Sequence, residues 1–132
     1  MRAVALCAVL VVLCGCGSAA KQRRPDTLVA RNAATGKRAT ATASANTGLY
    51  AEFRIRVAAT PKQRVSGGWV ISCVGPATMT SRDSRNFSGR TPLSVRTNPA
   101  SPPAAGSTCT LVATATLTGA GRIAVKLFGS PQ

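Results

Sequence analysis

From about residue 37 to the C-terminus, large apolar residues recur at every second position. Phe53, Ile55 and Val57 alternate with Glu52, Arg54 and Arg56, so an extended segment there has one apolar and one charged face. Trp69, Ile71 and Cys73 share a face of a second such segment. Cys109, Leu111, Ala113, Ala115 and Leu117 share a face of a third, opposed by Thr110, Thr114 and Thr116. Ile123, Val125 and Leu127 repeat the scheme after Gly119-Ala120-Gly121, which reads as a hairpin turn between the last two strands. Leu93 and Val95 mark a shorter strand. Lys37 to Ala45 alternates Ala with Thr or Ser, and is expected to form an edge strand paired with Leu49 to Ala59 across Asn46-Thr47-Gly48. No stretch beyond the N-terminal segment carries an apolar stripe of helical period.

Short strands at intervals of about ten residues, separated by Gly, Pro, Asn and Ser, predict an all-β chain whose residues 37–132 form a small antiparallel β-sandwich. The stretch Gly75 to Ala105 holds Pro76, Pro92, Pro99, Pro102 and Pro103, and is expected to be a loop with one short strand, packed over one end of the sandwich. Trp69 on the same face as Cys73, with a second inward cysteine at Cys109, resembles the inter-sheet staple of immunoglobulin-like domains. The resemblance concerns architecture alone. Here the Trp precedes the first Cys by four positions on one strand instead of standing between the two cysteines, which leaves the topology open.

Cysteine placement divides the chain further. Cys7, Cys14 and Cys16 lie near the N-terminus, leaving Cys73 and Cys109 as the only pair in the β-rich region, so one disulfide is expected. It would contribute about 3–4 kcal/mol in the chain-entropy account. Two thiolates in a chain without His cannot complete a tetrahedral metal shell.

The first residues have the anatomy of an export signal: Met1-Arg2, then an uncharged apolar run from Ala3 to Leu13, then small residues at Gly15, Gly17, Ser18, Ala19 and Ala20. Within it, Leu13-Cys14-Gly15-Cys16 resembles the lipobox of bacterial lipoproteins. That resemblance implies a signal peptide over residues 1–15, cleavage before Cys16, a diacylglycerol thioether on the Cys16 sulfur, an acylated amine, and residence at the outer face of the cell membrane. At least two acyl chains would anchor the product stably. The alternative is ordinary cleavage after Ala20, which would release a soluble extracellular protein. Residues 16–36 carry Lys21, Arg23, Arg24 and Arg31 with few large apolar residues, and are expected to be a disordered basic tether.

Composition narrows the chemistry more than it identifies it. The 132 residues include seventeen Lys and Arg, three acids (Asp26, Glu52, Asp83) and no His, for a net charge of +14. General acid–base chemistry therefore has little to work with, and no enzyme activity or cofactor is expected. Gly119-Ala120-Gly121-Arg122-Ile123-Ala124 matches a dinucleotide-binding spacing but lacks room for the helix and crossover such a site needs. Losing residues 1–15 removes only Arg2, leaving sixteen basic residues against three acidic ones, a net of +13. Such a surface attracts anionic lipid or wall polymer. Specific nucleic-acid reading is not supported, because the few aromatics are needed for packing. The expected anion-binding residues are Arg54 and Arg56, outward on one strand, with Arg82, Arg85, Arg90 and Arg96 in or beside the central loop. Two functions fit: a non-catalytic envelope lipoprotein whose basic β-domain binds or senses an anionic component, and a released protein-binding module, an inhibitor or assembly factor, whose Pro-rich loop engages an acidic partner.

Overall fold

The computed structural model describes residues 25–48, 50–75, 80–97 and 107–131. The signal region, Cys16, the cleavage position after Ala20, and Pro76, Pro99, Pro102 and Pro103 lie outside the described residues. Among the described residues there are eight strands: β1 (Thr27–Lys37), β2 (Thr40–Asn46), β3 (Tyr50–Thr60), β4 (Arg64–Val74), β5 (Thr80–Arg90), β6 (Leu93–Thr97), β7 (Thr108–Leu117) and β8 (Ala120–Pro131). They form two four-stranded antiparallel sheets, ordered β1-β8-β3-β6 and β2-β7-β4-β5, packed face to face.

The period-two pattern sets the faces. Phe53, Ile55 and Val57 of β3 and Ile123, Val125 and Leu127 of β8 point into the core from one sheet; Val65, Trp69 and Ile71 of β4 and Leu111 and Leu117 of β7 meet them from the other. Trp69 lies opposite Ala113 in the β4–β7 register, so a bulky side chain sits beside a small one, which lets the layer fill without overlap. Gly67 is required where it stands. A Cβ there would fall on the Thr114 carbonyl oxygen and come within 2.8 Å of the Phe87 ring.

Pairing is nested: β1 with β8, β2 with β7, β3 with β6 and β4 with β5, completed by β3–β8 and β4–β7. This is the strand order of an eight-stranded jelly roll, an antiparallel ribbon wound around the core. It differs from the immunoglobulin arrangement that the Trp and Cys placement resembled. Four connections of two or three residues, β1–β2, β3–β4, β5–β6 and β7–β8, gather at one end of the sandwich; the two described termini lie at the other.

Four expectations are corrected by this topology. The tether expected over 16–36 gives way at Thr27 to β1, which contributes only Val29, Ala30 and Ala34 to the packing but is held by its ladder to β8. An edge strand that buries alanines leaves almost no hydrophobic signal. β2 pairs with β7 and not with β3, and Gly119-Ala120-Gly121 carries the chain from one sheet to the other instead of closing a hairpin. The central loop contains the eleven-residue strand β5, whose inward positions include Asp83 and Arg85, the inward charges with which an exposed sheet edge resists pairing with another chain.

The disulfide Cys73–Cys109 is present, with its Cα atoms 4.0 Å apart, but it joins facing residues of β4 and β7 within one sheet. It does not staple the sheets together. Alternation put both sulfurs inward correctly; it carried no information on which strands are neighbours.

Candidate anion-binding surface

Because Phe53, Ile55 and Val57 point inward on β3, Arg54 and Arg56 must point outward. The same parity on β8 sends Arg122, Lys126 and Phe128 to that outer face, and the β1 register adds Arg31 and Lys37. Arg31, Lys126 and Arg56 are in register on β1, β8 and β3, forming one row across three adjacent strands. At strand spacings near 4.8 Å, that row spans about 10 Å. Arg122 stands four residues from Lys126 along β8, about 14 Å away at about 3.4 Å per residue. Between them lies a second row, Ala33, Ala124 and Ala58, also in register.

The cations of this face fall into two groups. Arg54 Nη1 lies 3.2 Å from Asp26 Oδ2, whose other oxygen accepts a 2.6 Å hydrogen bond from Ser130 Oγ. Arg96 Nε lies 3.5 Å from Glu52 Oε1 in a more exposed pair. Arg31, Lys37, Arg56, Arg122 and Lys126 have no acidic partner among the described residues. Arg56 is instead stacked over Phe128, its guanidinium carbon 4.7 Å from the ring centroid, which orients the side chain without neutralising it.

The six arginines expected to bind anions therefore do not form one surface. Arg54, Arg56 and Arg96 come together on this face. Arg82 and Arg90 point outward from the opposite sheet, and Arg85 lies on the inner side of β5 at its exposed edge, across from Trp69. Sequence reasoning missed Arg122 and Lys126, although their alternation with Ile123, Val125 and Leu127 marks them as outward. Arg31 became visible only with β1.

The outer face of the second sheet is different in kind. Its centre is a hydroxyl lattice in which Thr40 pairs with Thr116 at 2.8 Å and Thr42 with Thr114 at 3.0 Å, with arginines only toward its margins. Cations are thus denser on the outer face of the first sheet, with Arg64, Arg82 and Arg90 on that of the second. Among the described residues no three His, Cys, Asp or Glu side chains cluster as metal ligands would. No family model, curated protein or solved structure matches this chain, so the functional reading rests on its own residues and their placement.

Proposed function

We propose that this chain is a lipid-anchored protein of the bacterial cell envelope that acts without catalysis, holding an anionic envelope component against the outer face of the β1-β8-β3-β6 sheet. The observation that carries the reading is the set of cations there, Arg31, Lys37, Arg56, Arg122 and Lys126, left without acidic partners among the described residues on a surface where Arg54 and Arg96 are paired. The disulfide is in keeping with an oxidising compartment outside the cytoplasm. The likeness of residues 13–16 to a lipobox supplies the anchor. Residues 80–97 are strands, which removes most of the loop on which a released protein-binding module would have relied.

Cys16→Ser abolishes lipid labelling and moves the protein from the membrane to the soluble fraction, whereas Cys14→Ser changes neither. In the Cys16→Ser background, binding to phosphatidylglycerol vesicles weakens steeply as salt rises past about 0.1 M, where the Debye length falls to about 10 Å. Phosphatidylcholine vesicles are not bound. Equal lipid labelling of wild type and Cys16→Ser would remove the anchor from the proposal, and salt-insensitive binding would remove the electrostatic face.

A further inference from the structure

We infer that the partner of this face is a linear, phosphate-rich polymer that lies across the strands along the row Ala33, Ala124 and Ala58. The inference rests on the reading above and specifies its ligand. Three features of the surface point to an extended chain. The unpaired cations do not converge: Arg31, Lys126 and Arg56 stand in a row with the spacing of neighbouring strands, and Arg122 and Lys37 lie on the other side of the alanines. A single small anion can reach only neighbouring members of such a set, whereas a chain laid along the alanine row passes them all. The alanine row is recessed between long basic side chains, as the floor of an open trough of about 640 Å³. That volume is in the range of ligand sites. A flat bilayer surface rests on the walls of such a trough and leaves its floor uncovered.

The choice of phosphate follows from the two walls. A phosphodiester or phosphoanhydride unit has unesterified oxygens on both sides of its chain, so one strand of polymer presents an acceptor to Arg31 and Lys126 and another to Arg122, with Arg56, its guanidinium over Phe128, at the end of the first wall. Thr35 and Thr60 flank Arg122 in register and add hydroxyl donors to that wall. A polyuronate carries one carboxylate per residue, on alternating sides of successive residues, so no single unit meets both walls.

The test compares two triple variants of the full chain that lose the same charge from opposite sheets, with the disulfide intact. Long-chain inorganic polyphosphate is the probe. Arg31→Gln/Arg56→Gln/Lys126→Gln weakens its binding at least about tenfold more than Arg64→Gln/Arg82→Gln/Arg90→Gln, and flattens the plot of log affinity against log salt by about 2–3 where the second variant leaves it nearly unchanged. Ala124→Leu, which fills the trough without altering charge, also weakens binding. Pyrophosphate binds far more weakly than the polymer. Equal losses in the two triple variants, full binding by Ala124→Leu, or polygalacturonate binding as tightly as polyphosphate each overturn the inference. If phosphatidylglycerol vesicles distinguish the two triple variants in the Cys16→Ser background and polyphosphate does not, the polymer is wrong and the anion-binding face stands. If neither ligand distinguishes them, both fall.

Discussion

Trp69 shows how much one side chain can be asked to hold in a core made largely of Val, Ile and Ala. It is 1% exposed, and its indole Nε1 finds no acceptor among the described residues. A buried donor without a partner opposes folding even as the ring that carries it fills the largest single volume in the core. The two effects separate by substitution. Trp69→Ala costs about 3–5 kcal/mol through the cavity it leaves, whereas Trp69→Phe keeps most of the ring, discards the orphan N–H, and costs less than about 1.5 kcal/mol. Urea denaturation followed by far-UV circular dichroism measures both, since the fluorophore itself is removed. At this scale the sequence was legible: the parity of Trp69, Ile71 and Cys73 placed all three inward, and all three are buried.

Elements were legible in proportion to the apolar bulk they bury. β3, β4, β7 and β8 lie at the centres of their sheets and carry the large alternating side chains, so their faces could be assigned directly. The four edges, β1, β2, β5 and β6, pack alanines or one or two larger side chains each, such as Val29 of β1 and Phe87 of β5, which is too little alternation to mark β1 off from a tether or β5 from a loop. Pairing was harder still, because alternation tells which way a residue points and says nothing about which strand lies beside it. The crossing from β7 to β8 illustrates what alternation omits. Gln63, in the β3–β4 connection, accepts from the Gly119 N–H at 2.8 Å and donates to the Ala120 carbonyl at 3.0 Å, while its own backbone exchanges hydrogen bonds with Thr91 between β5 and β6. One side chain thereby ties together two of the short connections and its backbone a third. Gln63→Met keeps the length and loses both side-chain bonds, which lowers stability by about 1–2 kcal/mol in denaturant titration, and leaves the outer cationic face untouched.

For the molecule as a whole, the disulfide does not join the two sheets, since it lies within one of them. Cys73→Ala/Cys109→Ala loses about 3–4 kcal/mol, because the unfolded chain regains the freedom that a closed loop of 36 residues had removed. Its melting temperature falls by more than about 10 °C, with the same far-UV spectrum below the transition. The candidate site was partly legible at this scale. Net charge raises the expectation of an anionic partner and parity turns Arg54 and Arg56 outward, but the joining of Arg122, Lys126 and Arg31 to them on one face depends on β8 lying between β1 and β3. Sequence neighbours such as Arg82, Arg85 and Arg90 invited grouping that the winding of the ribbon then separates.

The position of that bridge also determines how the domain carries a mechanical load. Thr27 pairs with Gly129, so the two described termini leave the same end of the sandwich from adjacent strands. Tension between them opens the β1–β8 ladder one bond at a time, and the disulfide lies outside the load path until the β4–β7 ladder begins to separate. From then on it withholds the segment between its cysteines, 36 residue steps of chain. Stretched from its ends in a force-spectroscopy experiment, the oxidised protein therefore lengthens by about 120 Å less than the reduced one, the contour of those residues at about 3.3–3.6 Å each. A domain tethered by its N-terminus would yield first at β1, its least apolar long strand on the cationic sheet, with the covalently closed part of the fold still folded behind it.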